Sequence, residues 1–376
     1  MYSIKEENIR QLKQFIADSC KIVVAGHTHP DGDALGATAA MALYLQDYAG
    51  KDVCCVFSDS PAANLGFILP ESVRYHFHDT APEDTISAIN KADLIFLLDC
   101  NHFSRTEALE AHLAASKARK VLIDHHLNPD TESFDLVFST PEISSASELL
   151  YWVMRAMGDS SASLGMTERK LGMTDERGIA DERGMADERG MTEQRGMTME
   201  IGTALLTGMT TDTNNFANSV FPSTFRMASE LIASGVDRDA LLQKIYNSYR
   251  ENRVRAMGYM QSEGLTILPE GAAYMVLTKE IQERFDIQDG ETEGLVNVPL
   301  TIGKVRLSVL AKEDGDHFRI SVRSKKGTSA QQLAQRFFHG GGHENASGGK
   351  VLIGADVPAP EAVPAYIETI LKNFLG

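Results

Sequence analysis

The sequence predicts an α/β protein with two lobes, a larger one with a mainly parallel sheet flanked by helices and a smaller one with a mixed sheet. Three observations support this class. The chain has 376 residues, which is long for one ordinary domain and sufficient for two. In its first part, short apolar runs alternate with helix-like segments, as in parallel sheets. Toward the C-terminus, strand-like runs follow one another more closely, which indicates a second, smaller sheet.

The strands of the larger lobe are predicted from short apolar runs, which lie at 21–25, 53–57, 92–99 and 120–123. Its helices are predicted from apolar residues at helical spacing, at 4–19, 33–45, 105–116, 145–157 and 199–207. Small residues dominate the second of these helices, which permits close packing. The third strand is almost entirely apolar, as expected when helices cover both faces of a sheet.

The smaller lobe is predicted from several strand-like runs with few helix-like segments between them. Its strand-like runs lie at 273–277, 300–310, 317–322 and 350–353, and its helix-like segments at 328–337 and 360–374. A mixed polar and apolar helical stretch at 222–262 precedes them. We interpret this stretch as a connector between the lobes.

Residues 159–197 interrupt the larger lobe. Glycine recurs there every six residues, at Gly178, Gly184 and Gly190 among others. This period matches neither a coiled-coil heptad nor a known solenoid unit. We therefore expect a disordered, low-complexity insertion in a surface loop. The alternative is a calcium-binding or partner-binding repeat, but the dense carboxylates of calcium loops are missing.

The net charge of −16 argues against a general duplex-DNA binder with a broad basic face. It does not exclude a small phosphorylated substrate, because bound cations and a few arginines reverse the local field. The four cysteines show no CxxC spacing, and they lie in apolar surroundings typical of free thiols. We expect a reducing cytoplasm, since the N-terminus lacks the apolar stretch of a signal peptide and no run is long enough to span a membrane.

The turn after the first predicted strand places His27, Asp31 and Asp33 within seven residues. These groups would repel and desolvate one another unless a cation held them. Carboxylates mixed with imidazole suit Mn²⁺, Mg²⁺ or Zn²⁺. Gly32 and Gly36 would let the backbone approach the bound group. The alternative is a polar turn in which Asp33 caps the following helix.

Further candidate ligands follow later strands. Asp99 ends one apolar run, Asp124, His125 and His126 end the next, and Asp212 stands in a Thr/Asn-rich turn after the insertion. Each alone is more typical of a helix cap, a turn or a satisfied histidine. The carboxyl ends of parallel strands share one edge of a sheet, which is where ligands bind. The coincidence across three successive strands therefore predicts a metal centre.

The smaller lobe carries a glycine-rich run at 340–349 that includes Gly341, Gly342 and His343. It follows the basic segment Arg323–Lys326 in an otherwise acidic chain. We interpret the run as a phosphate cradle made of backbone N–H groups, Arg323 and His343. The alternative is a flexible loop, the commoner meaning of clustered glycine.

On these residues the sequence resembles the DHH phosphoesterase family, named for the Asp-His-His triplet that stands here at 124–126. Its ordered motifs match the turn at 27–33, Asp99, that triplet, Asp212 and the Gly-Gly-Gly-His of 340–343. The likeness covers both lobes and is greatest to the branch of nanoRNases and 3′-phosphoadenosine-5′-phosphate (pAp) phosphatases. The insertion departs from the family pattern.

The resemblance implies two Mn²⁺ ions, or Mg²⁺ or another divalent cation, in the cleft between the lobes. One ion would bind His27, Asp31 and Asp99. The other would share Asp99 and bind Asp33, His125 and Asp212.

The resemblance also implies roles around the metals. Asp124 would orient His125, and His126 would face the scissile phosphate and stabilise the transition state or protonate the leaving oxygen. The implied substrate-binding residues are Arg323, Gly341, Gly342 and His343. The implied domains are a catalytic metal-binding domain at 1–222, the connector at 223–263 and a substrate-binding domain at 264–376.

The implied activity is hydrolysis of very short oligonucleotides to mononucleotides, of pAp to AMP, or of both, by attack of a water held between the ions. The alternatives are an exopolyphosphatase or pyrophosphatase, a phosphodiesterase for linear di-adenylate, and a non-catalytic nucleotide binder. As partners we expect a short single-stranded oligonucleotide or a nucleotide phosphate, and a second copy in a homodimer. We expect neither a membrane nor stable duplex DNA as a partner.

Overall fold

The computed structural model describes residues 4–158, 197–288 and 290–376. The predicted insertion at 159–197 lies outside the described residues, apart from Met197. The chain divides into two compact units, Met1–Pro61 with Ile68–Leu241, and Ala62–Phe67 with Leu242–Gly376. The division after Leu241 falls within the predicted connector, and the domain limits taken from the resemblance stay predictions.

The first unit is built on a parallel sheet. Its strands within the described residues are β1 (Lys21–Ala25), β2 (Asp52–Phe57), β3 (Arg74–Phe77), β4 (Leu94–Leu98), β5 (Arg119–Asp124) and β6 (Leu136–Ser139). They lie in the order β3-β2-β1-β4-β5-β6, and every pairing is parallel. Val23 of β1 pairs with Cys54 on one side and with Ile95 on the other. Because the chain order reverses beside β1, the carboxyl ends of β1 and β4 adjoin a crevice that suits ligand binding.

Helices alternate with these strands along the chain and follow them. They are α1 (Glu6–Asp18), α2 (Gly32–Ala49), α3 (Pro82–Lys91), α4 (Glu110–Ala115), α5 (Ala146–Gly158), α6 (Met199–Asp212), α7 (Pro222–Ala233) and α8 (Arg238–Tyr246), which crosses the division. The predicted helix at 105–116 is broken, because Glu107 has a positive φ of 41° and a 3₁₀ turn at Phe103–Leu109 precedes α4. The predicted turn around Asp212 was wrong, since α6 continues to that residue.

Helices α2 and α6 pack backbone to backbone, and glycine makes this approach feasible. A Cβ added to Gly36 would lie 2.5 Å from the carbonyl oxygen of Ala204, and one added to Gly32 would lie 2.6 Å from the Thr211 methyl group. The prediction that these glycines make room for a bound group was wrong. They admit α6, which brings Asp212 to the turn after β1.

The second unit contains a mixed sheet. Its described strands are β7 (Leu265–Ile267), β8 (Ala272–Leu277), β9 (Leu307–Asp314), β10 (His317–Ser324), β11 (Gly341–Gly342) and β12 (Ala346–Leu352). They lie in the order β11-β12-β10-β9-β8-β7, with β8 and β9 parallel and the other pairs antiparallel. Its helices are α9 (Glu251–Ser262), α10 (Lys279–Arg284), α11 (Ala330–Phe337) and α12 (Val363–Leu375).

The predicted strand at 300–310 was wrong in its first half. Residues Leu295–Thr301 form a 3₁₀ turn that contains Pro299, and β9 begins only at Leu307. Phe318, Leu333 and Ile367 contribute to one apolar core between the sheet and α11 and α12. The predicted α/β class, with a parallel sheet and a second mixed sheet, is confirmed. Among the helices that the structure describes, none is both long and apolar enough to cross a bilayer.

Candidate metal centre

The six predicted metal ligands lie together at the carboxyl edge of the first sheet. They come from the turn after β1, the ends of β4 and β5, and the last turn of α6. His27, Asp31 and Asp99 have ligand atoms within 4.8 Å of one another, and so have Asp33, His125 and Asp212. The two groups are those that the resemblance implied.

The turn after β1 presents a preorganised imidazole and carboxylate. His27 Nδ1 donates to the carbonyl oxygen of Thr28 at 2.7 Å, which leaves Nε2 as the ring nitrogen that a cation would bind. Asp31 is the N-cap of α2, because its Oδ1 accepts from the backbone N–H groups of Asp33 and Ala34. The alternative that Asp33 caps this helix was therefore wrong. Asp31 Oδ1 lies 3.8 Å from His27 Nε2.

Asp33 is buried, and a second helix holds it. Its Oδ2 accepts from the N–H of Ala146 at 2.7 Å, and its Oδ1 accepts from the N–H of Ser147 at 3.0 Å. Both donors belong to the first turn of α5, where unpaired amides favour an anionic side chain. Gly208 of α6 packs against the same carboxylate, since a Cβ there would lie 2.7 Å from Asp33 Oδ1.

Asp99 stands between the two groups. Its Oδ2 lies 3.5 Å from His27 Nε2, and its Oδ1 lies 3.3 Å from His125 Nε2. The residue has a left-handed backbone, with φ of 53°. Its Oδ1 is fully buried, yet it makes no hydrogen bond. A buried carboxylate oxygen without a hydrogen bond is costly, and a bound cation would satisfy it.

The electrostatics of the centre favour added positive charge. Burial lowers the pKa values of His27 and His125, but their carboxylate neighbours outweigh it and raise both to about 10. Burial raises the pKa of Asp212 to about 7 despite the opposing effect of His125. Burial, together with the charges of Asp99 and Asp212, raises the pKa of Asp33 well above its usual value. In the metal-free protein, protons bound to these side chains therefore offset the negative charge of the carboxylates, a role that divalent cations would take over on binding.

The donor set fits such cations. Four carboxylates and two imidazoles, with no thiolate, suit Mn²⁺ and similar ions. The second coordination sphere is also in place, because backbone groups orient His27, Asp31 and Asp33. The residues that are present can thus hold the metal pair that the resemblance implied.

A hydrogen-bonded triad borders the metal centre. Asp124 is fully buried, and its Oδ1 accepts from His126 Nδ1 at 2.7 Å while its Oδ2 accepts from the His126 N–H. Arg105 Nη1 lies 2.9 Å from His126 Nε2. Since a guanidinium only donates, Nε2 is the acceptor and the imidazole proton is on Nδ1.

Two expectations about this triad need correction. Asp124 makes its side-chain hydrogen bonds to His126, one residue beyond the expected partner His125. His126 Nε2 accepts from Arg105 in this arrangement, which does not support the predicted protonation of a leaving oxygen by His126. The permanent positive charge at this rim belongs to Arg105, which the sequence analysis missed.

The four predicted substrate-binding residues lie in the second unit, on the two sides of β12: Arg323 on β10, Gly341 and Gly342 on β11, and His343 just after β11. Arg323 of β10 pairs with Ala346 of β12, and His343 exchanges backbone hydrogen bonds with the same Ala346 from the other side. Gly341 and Gly342 form β11. Two strand spacings, roughly 10 Å, thus separate the backbones of Arg323 and His343.

The predicted cradle of backbone amides is partly wrong. The N–H of Gly340 donates to the carbonyl of Ala334, and the N–H of His343 donates to that of Ala346. Two of the glycines serve close backbone packing, since a Cβ at Gly340 would lie 1.9 Å from the carbonyl oxygen of Gly348 and one at Gly342 would lie 2.8 Å from that of Ala346. Gly341, Gly342 and the side chains of Arg323 and His343 stay the predicted phosphate-binding groups of this region.

Two features of the metal centre had no clear signal in the sequence. The amides of α5 that hold Asp33 could not be recognised in the sequence, because every helix start offers such amides. Ser145, whose Oγ accepts from the Glu148 N–H, marks this helix start but not its contact with Asp33. Arg105 was hidden because one arginine in a mixed segment resembles any surface cation. Only its approach to His126 identifies it.

Two ranges of the chain match models of known protein families. The model for the N-terminal domain of the DHH family matches residues 21–174, and the model for the DHHA1 domain matches residues 272–373. The solved structure of an exopolyphosphatase-related protein from Bacteroides fragilis is 32% identical, covers 100% of this chain and 98% of its own, and superposes with a TM-score of 0.82.

Two curated proteins are also similar. The bifunctional oligoribonuclease and PAP phosphatase NrnA of Bacillus subtilis is 23% identical over 357 residues, which cover 94% of this chain and 95% of that protein. A probable manganese-dependent inorganic pyrophosphatase of Enterococcus faecalis is 28% identical over 134 residues, which cover 35% of this chain and 40% of that protein.

Proposed function

The chain belongs to the DHH family of metal-dependent phosphoesterases, and from this premise we propose that it hydrolyses short oligonucleotides to mononucleotides and pAp to AMP, with Mn²⁺ as its cofactor. The similarity to NrnA along nearly the whole of both chains supports this substrate class. The similarity to a manganese-dependent pyrophosphatase supports the choice of metal. A homodimer and a cytoplasmic location stay predictions.

The position of Asp99 carries the proposal. Its two oxygens face different ligand groups, His27 on one side and His125 on the other. Asp99 would thus hold one cation together with His27 and Asp31, and a second cation together with His125, Asp33 and Asp212. When bound, a pair of divalent cations lowers the pKa of water and neutralises charge on phosphoryl oxygens.

The chain's own residues orient the reaction. The amides of α5 hold Asp33, the backbone turn holds Asp31, and the Thr28 carbonyl fixes the tautomer of His27. Asp124 fixes the ring of His126, whose Nε2 accepts from Arg105. The Arg105 guanidinium supplies a fixed positive charge that can pair with a non-bridging phosphate oxygen. In the second unit, Arg323 and His343 supply side chains that can bind a substrate phosphate.

The test is a substrate panel with the metal-stripped chain. We expect Mn²⁺ to restore release of mononucleotides from a five-nucleotide RNA and of phosphate from pAp, with lower activity on linear di-adenylate and tripolyphosphate. Asp99→Asn tests the role of the metal centre, because it keeps the side-chain volume and removes the charge that both metal sites would share. We expect it to lower kcat by about 10³-fold or more.

Three outcomes would contradict the proposal. Turnover of tripolyphosphate alone would favour an exopolyphosphatase, and the B. fragilis protein is described as related to this class. Binding of pAp without turnover would favour a non-catalytic nucleotide binder. Nuclease activity that survives Asp99→Asn would remove the metal centre from the mechanism.

A further inference from the structure

The first unit carries a stacked pair of aromatic rings that the proposed mechanism does not use. Phe216 lies in the loop after α6, and Phe225 lies in the first turn of α7. Their ring centroids are 5.3 Å apart, and their planes differ by 14°. Phe225 remains 54% exposed. One phenyl ring thus supports another, and the outer ring offers much of its surface to solvent.

The loop that carries Phe216 is strained. Asn214, Asn215 and Phe216 follow one another with positive φ of 47°, 56° and 67°. Asparagine tolerates this conformation, but a bulky aromatic residue adopts it rarely. Thr213 Oγ1 accepts from the Phe216 N–H at 3.0 Å, which helps to hold the loop in place. Strain of this kind persists where the surrounding structure fixes it, and it concentrates at ligand-binding sites.

A cation accompanies the rings. The guanidinium carbon of Arg238 lies 5.8 Å from the centroid of Phe216. Its Nη2 donates to Asn215 Oδ1 at 2.6 Å, so the strained loop itself anchors the guanidinium. The chain has a net charge of −16, so an arginine held at this place supplies a local positive charge to an otherwise acidic protein. Aromatic rings with a neighbouring cation bind single-stranded nucleic acid, since bases stack and phosphates are attracted.

The pair lies close to the metal centre along the chain. Phe216 follows the candidate ligand Asp212 by four residues, and the N–H of Asn215 returns to the carbonyl of Thr210 in the last turn of α6. The loop is therefore compact, and the backbone of Phe216 lies on the order of 10 Å from that of Asp212. A short oligonucleotide with its phosphate at the metals can span this distance.

We propose that Phe225, supported by Phe216 and flanked by Arg238, is a stacking site for one base of the oligonucleotide substrate. The inference rests on the proposed function and assigns a base-binding subsite to the first unit. Stacking tolerates every base, because each has a π-face. The subsite would therefore favour a nucleotide chain over polyphosphate without selecting a sequence.

The experiment compares Phe225→Ala with Ile232→Ala, a control on the same helix whose side chain is 44% exposed. The substrates are a three-nucleotide RNA and its abasic ribose-phosphate counterpart. We expect Phe225→Ala to raise the KM for the RNA about 5- to 150-fold, as for loss of one stacked base, with kcat almost unchanged. The KM for the abasic substrate should not change. Phe225→Trp should restore the KM for RNA, and Ile232→Ala should leave it unchanged.

An unchanged KM for the RNA, or an equal rise for the abasic substrate, would overturn the stacking site while the nuclease proposal stands. If the wild-type chain does not cleave RNA, the nuclease proposal fails by itself. The fluorescence anisotropy of a labelled trinucleotide, measured in EDTA, still tests the stacking site. A Kd that Phe225→Ala leaves unchanged would then exclude it.

Discussion

The substitution Gly36→Ala tests whether the contact between α2 and α6 sets the geometry of the metal centre. The added Cβ would lie 2.5 Å from the carbonyl oxygen of Ala204 and 2.9 Å from the amide nitrogen of Gly208. Both contacts are backbone atoms, which cannot rotate away. To restore an ordinary contact of 3.4 Å, α6 must retreat by about 0.9 Å. Asp212 is the last residue of α6 and would move with it.

The expected effects on stability and activity differ in size. Overpacking costs about 1–3 kcal/mol of the free energy of unfolding, and replacing a helical glycine by alanine returns about 1 kcal/mol. The net loss of stability is therefore modest. Metal–ligand distances tolerate only about 0.2 Å, so the displaced Asp212 binds its cation poorly. We expect kcat to fall about 10²-fold and Mn²⁺ affinity to fall about 10-fold or more.

The assay is isothermal titration of the metal-stripped protein with Mn²⁺, together with kcat on the five-nucleotide RNA and urea unfolding. Gly258→Ala is the matched control, because Gly258 lies inside α9 and an added Cβ there meets nothing within 4 Å. It should gain helix propensity and leave Mn²⁺ affinity unchanged. A Gly36→Ala protein that matches Gly258→Ala in stability, Mn²⁺ affinity and kcat would refute the reasoning.

Three other predictions follow from the site. In the metal-free protein the pKa values of His27 and His125 are raised to about 10 from 6.5, so their contribution to stability is complete below pH 6.5 and is lost as pH rises toward 10. Urea unfolding in EDTA should show a free energy of unfolding that falls across this window, and His125→Gln should reduce the fall; a flat profile would contradict the assignment. Arg105→Ala should lower kcat/KM about 10- to 100-fold through the loss of a charged hydrogen-bond donor, with partial recovery in Arg105→Lys; steady-state kinetics showing wild-type values would remove Arg105 from the site. Arg323→Ala should chiefly raise KM for the RNA and pAp, and an unchanged KM would exclude it from substrate binding.

The sequence alone predicted the candidate metal ligands that directly follow a strand. His27, Asp31 and Asp99 follow apolar runs, and the parallel arrangement of such runs brings their ends to one edge. Short strands were harder to predict. The edge strands β3 and β6 were missed because four residues with mixed polarity carry little periodic signal.

Partners that come from distant parts of the chain could not be predicted. Asp33 receives its amides from Ala146 and Ser147, more than a hundred residues away. Arg105 reaches His126 from a 3₁₀ turn that the helical pattern did not predict. Whether Asp124 forms its hydrogen bonds with His125 or with His126 depends on the direction of the backbone at 124–126, which the spacing of the residues in the sequence does not define.

We expect that the chain length between Gly158 and Met199 can change without cost to the reaction. This segment joins the C-terminal end of α5 to the N-terminal end of α6. Asp33 is held by the other end of α5, and Asp212 lies at the other end of α6. A helix of 13 or 14 residues separates the two ends by roughly 20 Å. Repeats could be gained or lost there without moving Asp33 or Asp212, because α5 and α6 are rigid helices that hold the repeat segment away from these two carboxylates.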